Sequence, residues 1–324
     1  MNRTLRQRST VLLAAASALA LAGCSTSGTA AESEPSADAS AAAAPETVSV
    51  EHAQGTAEVP VDPEKLITFD LGFLDSMEAV GEEAQGLPKG SLPEQFAKYD
   101  AEEYVNAGSM KEPDLEAVAE ADPDVIIISG RTADFYDELS EIAPTVDLSA
   151  DQSDPVGAFK KQAEVVGQVF GKEAEVEEKV AAVEQQIAET QEQAADAGTA
   201  LFLLTSGGEV NAYGENSRFG NILHGVLGLE PAAEVNAEGT HGEAISFEAI
   251  AEADPDRLYV LDRDAGIGSG GEAAQQVLDN ELVNGTAAAQ QDRITYVDSA
   301  SWYLVGPGLN NFPAMIGEVQ ESLS

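Results

Sequence analysis

The sequence predicts an α/β protein of two similar lobes, each built on a mainly parallel sheet, joined by one long helix. Three observations predict it. Leu115–Arg131 (LEAVAEADPDVIIISGR) returns as Phe247–Arg263 (FEAIAEADPDRLYVLDR), 132 residues on, with nine of seventeen positions identical, among them Glu116 over Glu248 and Arg131 over Arg263. Short apolar runs alternate with helical spacings along both halves of the chain, as they do when helices join the parallel strands of a sheet. Between the two copies, Val176, Val180, Val183 and Ile187 fall at spacings of four, three and four among Glu, Gln and Lys, the stripe of a single long helix.

The first residues read as an export signal over 1–23. Arg3, Arg6 and Arg8 give a positive start, and Val11–Leu21 an apolar core too short to span a membrane. Leu21-Ala22-Gly23-Cys24 resembles a bacterial lipobox, in which Cys24 takes the lipid and becomes the first mature residue. Cys24 is the one cysteine in the chain, which leaves no disulfide framework and no thiolate metal site. Residues 24–46, simple and polar, read as a flexible tether.

Residues 47–171 read as the first lobe. Thr47–Val59 alternates about Gly55 and predicts a hairpin, Leu66–Phe69 a strand and Asp70–Val80 a helix; Glu82–Ala107, punctuated by Gly and Pro, predicts a loop with short helical turns. Each repeat copy is a helix, Asp-Pro-Asp and a strand. Proline lacks an N–H and restricts the residue before it, so the helix stops there. The branched or aromatic run behind it (Val125–Ile128, Leu258–Leu261) has the length of a buried strand. After Arg131 come a helix (Ala133–Ile142), a strand (Thr145–Leu148) and an amphipathic helix over Asp154–Phe170 ended by Gly171.

Residues 172–198 read as the interlobe segment, its helix about 24 residues and so about 36 Å long. Its short, alanine-rich stripe suits a rigid spacer better than a coiled coil, and a single stiff helix resists wide hinge closure. Residues 199–324 read as the second lobe: a strand (Ala200–Leu204), a Gly207-Gly208 hairpin to Val210–Tyr213, the loop Gly214–Gly220 and a helix (Asn221–Leu227). Next come the loop Ala237–Gly242, the second repeat, a flexible loop (Gly266–Gly271), a helix over Glu272–Ala289 and a strand (Ile294–Val297). Ser301-Trp302-Tyr303, Gly306-Pro307-Gly308 and a helix that closes the lobe end the chain.

Charge narrows the partners. The chain has 16 Lys+Arg against 58 Asp+Glu, a formal net charge of −42; three of the bases precede Cys24, leaving 13 against 58, or −45. Nucleic acid is a poor partner for such a surface, and an anionic membrane face repels it, so that the lipid anchor is the membrane contact. Against that background the five arginines beyond Cys24 stand out: Arg131, Arg218, Arg257, Arg263 and Arg293. Ligands of open α/β sheets bind beyond the carboxyl ends of strands, where each repeat delivers an arginine.

Catalytic signatures are absent: there is no GxSxG, HExxH, P-loop or GxGxxG behind a strand. Gly266–Gly271 superficially resembles a phosphate loop, but no Lys-Ser/Thr comes after it. Carboxylates are plentiful enough for glycoside hydrolysis, and nothing singles out a pair. A structural or surface role suffices for His52 and His224. His241, in a loop leading into the second repeat, is open to a ligand role or a structural one, and Trp302 and Tyr303 sit at a strand's carboxyl end.

Longer motifs are more specific. They are LITFDLGFLDSM (Leu66–Met77), IIISGRTADFYDELSEIAP (Ile126–Pro144), SRFGNILHGVLG (Ser217–Gly228), GTHGEAI (Gly239–Ile245), VLDR (Val260–Arg263), LDNEL (Leu278–Leu282) and WYL (Trp302–Leu304). With them the chain resembles, over nearly all of 47–324, the class III substrate-binding proteins of bacterial iron-uptake ABC transporters. Within that group it is similar to the branch that binds ferric catecholate siderophores of the enterobactin and petrobactin type. The resemblance implies the class III periplasmic-binding-protein fold, two Rossmann-like lobes joined by one long helix.

In that branch three arginines surround the anionic iron complex, and the matching positions are Arg131, Arg218 and Arg263. A histidine and a tyrosine able to coordinate the ferric ion where the siderophore leaves positions open match His241 and Tyr303. A glutamate on each lobe that contacts the permease dimer matches Glu116 and Glu248. The resemblance thus implies a monomeric receptor anchored at the outer face of the cytoplasmic membrane, with no prosthetic group and no catalytic residue, carrying a ferric siderophore to an ABC importer. A binder of haem, cobalamin or a ferric hydroxamate is the alternative, although three arginines suit a neutral hydroxamate badly; a secreted hydrolase is a distant third.

Overall fold

The computed structural model describes residues 46–90, 92–150, 153–236 and 242–324. The signal segment, Cys24, the tether up to residue 45 and His241 lie outside the described residues. The described chain opens with an antiparallel hairpin, β1 (Thr47–His52) and β2 (Gly55–Pro60). Two sheets come after it. The first holds β3 (Leu66–Thr68), β4 (Gly86–Leu87), β5 (Val105–Asn106), β6 (Val125–Ile128) and β7 (Thr145–Asp147) in the order β5-β4-β3-β6-β7, every pair parallel. Strands covered on both faces need unbroken apolar runs, and all four residues of β6 are buried.

The second sheet holds β8 (Thr199–Ser206), β9 (Glu209–Tyr213), β10 (Glu230–Pro231), β11 (Glu243–Ala244), β12 (Arg257–Asp262) and β13 (Ile294–Tyr296). Its order is β11-β9-β8-β12-β13, with β10 also on β8. β8, β10, β12 and β13 pair in parallel, whereas β9 runs antiparallel to both its neighbours, β8 and β11, so this sheet is mixed. The cause is local: Gly207 and Gly208, at φ +60° and +82°, fold the chain straight back along β8.

Six helices position the site: α1 (Leu71–Ala79), α2 (Leu115–Ala121), α3 (Pro155–Phe170), α4 (Glu173–Ala194), α5 (Phe247–Ala253) and α6 (Asn311–Ser322). The repeat copies fold alike. α2 and α5 are capped by Asp114 and Ser246, which accept from the N–H groups of Ala117 and Ala249 at 3.0 and 3.2 Å. Each helix ends on an aspartate in the left-handed region, Asp122 (φ 51°) and Asp254 (φ 41°). The second aspartate of each Asp-Pro-Asp, Asp124 and Asp256, then accepts a backbone N–H at the start of the neighbouring strand, Lys65 and Thr199, both at 2.9 Å. Hence β6 lies between β3 and β7, as β12 lies between β8 and β13.

Other elements depart from their sequence patterns. The helix expected over Glu272–Ala289 is three short ones, Ala274–Leu278, Glu281–Asn284 and Ala287–Gln290, because Asn280 and Thr286 each cap a new start. Ala133–Ile142 divides into a 3₁₀ turn and a short helix, and Asn221–Val226 is a π-helical turn. α4 covers 22 residues of the expected 172–198, about 33 Å at 1.5 Å per residue. Nor is it a bare spacer: Val176, Val183, Ile187, Thr190 and Ala194 are buried, and α4 packs on α3 and α6.

The last helix does more than close the second lobe. At its start the chain packs on α1 of the first. Asp75 Oδ2 accepts from the backbone N–H groups of Asn310 (2.7 Å) and Asn311 (2.9 Å), and Ser76 Oγ from that of Leu309 (3.0 Å). The backbones approach so closely that a Cβ on Gly308 would lie 2.5 Å from Asp75 Oδ2 and 2.6 Å from Gly72 O.

Burial pushes the Asp75 carboxyl up to about 6 against the pull of the Asn311 and Asn310 amides, with Glu78 adding to the rise. Between its ordinary value of 3.8 and about 6 the folded chain therefore holds a proton that the unfolded chain has lost. Stability from this group falls as pH rises through that window, and the full cost is present above it. Asp75→Asn keeps an acceptor without the buried charge, so its Tm should match that of the wild type below about pH 4 and exceed it above pH 6 by about 2–4 °C. Thermal melts across pH 3.5–8 check this; a variant Tm at or below the wild-type value at pH 7 contradicts it.

Candidate functional site

Arg131 follows β6 and Arg263 follows β12, so both stand at the carboxyl ends of parallel strands. Arg218 comes from outside the repeat, in the first turn of a helical segment that passes into the π turn Asn221–Val226. Tyr303 sits in a second π turn, Ser301–Val305, which ends at Gly306 with φ 72° and ψ −164°, a conformation open in practice only to glycine. π turns are rare and cluster at functional sites.

The structure brings all three arginines to Tyr303. Arg131 Nη2 and Arg218 Nη2 both donate to its carbonyl oxygen at 2.9 Å, and Arg218 Nη2 also lies 3.4 Å from Trp302 O. Arg263 Nε donates to the phenolic oxygen at 2.9 Å, and its Nη1 to Ser206 Oγ at 3.2 Å. The guanidinium carbons of Arg131, Arg218 and Arg263 lie 5.6, 5.7 and 5.4 Å from the centre of the Tyr303 ring, within cation–π range.

Packing fixes these positions. Arg218 lies over the ring of Phe219 at 4.7 Å; Phe219 stacks on Phe202 at 5.5 Å, and Phe202 meets Trp302 at 5.4 Å. Trp302 is fully buried and donates Nε1–H to Glu318 Oε2 at 3.0 Å, an acceptor shared with the Asp298 N–H at 3.1 Å. On the other side, Arg131 Nη1 reaches Met110 Sδ at 3.6 Å, and Thr132 Oγ1 donates to Met110 O at 2.8 Å.

Among the described residues, only Arg263 of the three is in ion-pair contact with a carboxylate, Asp264 at 3.5 Å. Burial, and then the charge of Arg131, pushes Arg218 down to about 10, with Tyr303, Tyr213 and Asp70 opposing. It stays cationic at neutral pH, and its charge is poorly compensated. Burial also raises the Tyr213 hydroxyl, which the Gly242 N–H and the Arg218 and Arg263 charges pull back. Among the described residues no group of three or more His, Cys, Asp or Glu side chains is placed to hold a bare metal ion.

Glu116 and Glu248 are exposed on the first turns of α2 and α5, away from this cluster in sequence and equivalent to each other in the repeat. His241 is next to Gly242 and lies outside the described residues. Met110, Ser206 and Tyr213 join the cluster without having been singled out from the sequence as site residues. Ser206 had a weak signal, its place between the strand Ala200–Leu204 and the Gly207-Gly208 turn. Met110 had none.

A sequence profile of periplasmic binding proteins matches residues 66–300. The petrobactin-binding protein YclQ of Bacillus subtilis is 36% identical over 283 residues, which cover 86% of this chain and 89% of that one. Its crystal structure aligns with a TM-score of 0.82 at 37% identity, covering 86% of this chain and 99% of that one. The periplasmic catecholate-siderophore binding protein VctP of Vibrio cholerae aligns with a TM-score of 0.79 at 32% identity over 85% of this chain and all (100%) of the other. The ferric-anguibactin-binding protein FatB of Vibrio anguillarum is 27% identical over 278 residues, 84% of this chain and 86% of that one.

Two guanidinium groups on one carbonyl make the ligand-free site electrostatically expensive. Arg218→Gln should raise the Tm of the ligand-free protein by about 2–4 °C, a gain of about 1 kcal/mol. The same change should shrink the Tm increase that an added multivalent anion gives the wild type. Differential scanning fluorimetry with and without the anion checks both; a lower Tm in the ligand-free variant contradicts the charge argument.

Proposed function

The chain belongs to the periplasmic binding protein family, and on that premise we propose that it is a receptor that captures a ferric catecholate-type siderophore and hands it to an ABC importer without a catalytic step. The observation that carries this reading is the convergence of three guanidinium groups on Tyr303 in a chain of net charge −42. The relatives named for petrobactin and for a catecholate siderophore support the same ligand class.

A ferric ion held by three catecholates carries three negative charges. Guanidinium forks offer directed, permanently charged donors to catecholate oxygens. At 4 Å and an effective dielectric near 20, each pair is worth about 4 kcal/mol before desolvation. The acidic surface repels such an anion only at range, because screening over about 8 Å leaves the near arginines dominant. A catecholate oxygen that takes a donor from Arg131 or Arg218 also relieves the crowding at Tyr303 O.

In this proposal Arg131, Arg218 and Arg263 bind the complex. Tyr303 and His241 complete the ferric coordination when a siderophore supplies only four donors, since phenolate is a hard oxygen ligand and imidazole suits iron. Glu116 and Glu248, exposed at matching repeat positions, dock on the permease dimer. Cys24 carries the lipid that holds a monomer at the outer face of the cytoplasmic membrane; among the described residues no helix is long and apolar enough to cross one. Residues 47–171 and 199–324 are the lobes, with 172–198 as the helix between them.

Trp302, the chain's one tryptophan, adjoins Tyr303, so its fluorescence reports on this site. Titration with ferric enterobactin should quench it with at least tenfold higher affinity than a ferric hydroxamate, haem or cobalamin. Arg131→Ala and Arg263→Ala should each weaken that binding about tenfold or more, or about 1.4 kcal/mol. Equal affinity across the panel, or unchanged binding in both variants, removes the proposal. Tyr303→Phe should alter the visible charge-transfer band with a tetradentate bis-catecholate only; an unaltered band rules out its coordination of iron.

A further inference from the structure

We propose that Asp75 is a positioning residue for the ligand site, acting through Asn311 and the Ser301–Val305 turn on Tyr303 and the two arginines that share its carbonyl. This rests on the reading of that cluster as the ligand site. Asp75, Ser76, Ser301 and Asn311 are only 3%, 0%, 6% and 5% exposed, and none of them bonds to an arginine of the cluster. Buried polar groups are costly unless partnered, so the destination of each bond is informative.

The bonds form a continuous path. Asp75 on α1 accepts two successive backbone N–H groups, Asn310 and Asn311. The Asn311 side chain donates from Nδ2 to Ser301 O (3.1 Å) and Gly306 O (2.8 Å), and its Oδ1 accepts from Ser301 Oγ (2.7 Å). Those two carbonyls bracket the π turn, with Tyr303 between them. Asn311 therefore ties both ends of the turn together, and Asp75 fixes Asn311.

The path also closes on itself. Arg131, from the end of β6, holds the middle of the turn through Tyr303 O. Asp75 holds its ends from α1, which follows β3, and β3 and β6 are paired neighbours. The first lobe thus grips a second-lobe turn at two points rooted in adjacent strands, while Arg218 reaches the same carbonyl from the second lobe. With the ends tied at Ser301 O and Gly306 O and the middle at Tyr303 O, the turn is held against rotation as well as translation.

A carboxylate is a poor choice for stability alone, since desolvation offsets much of what a buried charge gains. It is a good choice for register. An apolar contact of equal area tolerates sliding, whereas one oxygen shared by two successive amides sets the chain's position along its own direction. The glycines at 72 and 308 serve the same close approach, as neither position has room for a Cβ.

The test uses the full chain. Asp75→Ala, Asp75→Asn, Arg131→Ala and the double Asp75→Ala/Arg131→Ala variant are titrated with ferric enterobactin by tryptophan quenching. Asp75→Ala should weaken binding about tenfold, and Asp75→Asn, which restores an acceptor in place, should recover to within about threefold of wild type. The double variant should lose less than the product of the single losses, because the two residues act on one turn. Wild-type affinity in folded Asp75→Ala, or multiplicative losses, overturns the proposal. Should Asp75→Ala fail to fold, Ser301→Ala takes its place in the cycle with the same criterion.

Hydrogen exchange on the ligand-free protein separates this proposal from the ligand assignment. Asp75→Ala should speed exchange of the amides of residues 301–306 as well as 309–311. Faster exchange confined to 309–311 overturns the strut whatever the ligand. Failure of the wild type to bind any ferric catecholate, with exchange altered across both stretches, removes the ligand assignment and leaves the strut standing.

Discussion

One carbonyl oxygen, that of Tyr303, accepts hydrogen bonds from two guanidinium groups delivered by different lobes. Like charges gather at a shared acceptor only when the backbone holds it in place and the cations have nowhere better to go. Both conditions are met. The carbonyl sits in a π turn tied at its ends, and among the described residues neither Arg131 nor Arg218 has a carboxylate in ion-pair contact. The cost registers on Arg218, pushed down to about 10.

The acidity of the molecule and the positive character of its site are compatible because charge acts locally. Ionic screening over about 8 Å uncouples the surface acids from the cluster, while the guanidinium groups lie within 6 Å of one ring. The site is positive through placement, not through composition. Its floor of Phe202, Phe219 and Trp302 keeps the cations in one arrangement by packing.

Repetition accounts for part of this geometry and asymmetry for the rest. The repeat supplies the frame twice, with the same caps, the same left-handed aspartate and the same strand position, and it delivers Arg131 and Arg263 in equivalent places. Among the described residues the first lobe has no π turn, and Gly86 stands 132 residues before Arg218. Arg218 and the Tyr303 turn bring the two similar strand ends together at one ring and its carbonyl. The clamp between α1 and the start of α6 also makes the connection between lobes more than a single helix, because the chain returns to the first lobe after completing the second sheet.

By itself the sequence determined what depends on neighbours a few residues apart. The Asp-Pro-Asp stops, the hairpin at Gly207-Gly208, the strands of the repeat and the delivery of Arg131 and Arg263 to strand ends are of this kind, because proline, glycine and apolar periodicity act within a turn or two. Tyr303 had only its place behind a strand and Arg218 only its rarity in an acidic chain; longer motifs and a family resemblance marked them as site residues. The tertiary structure alone decided that Tyr303 meets partners 40, 85 and 172 residues away, that the helix expected over Glu272–Ala289 breaks at Asn280 and Thr286, and that Asp75 faces Asn311. Such contacts arise from how closely two backbones pack, at Gly72 and Gly308 above all, and no periodicity along a chain encodes a distance between segments more than two hundred residues apart.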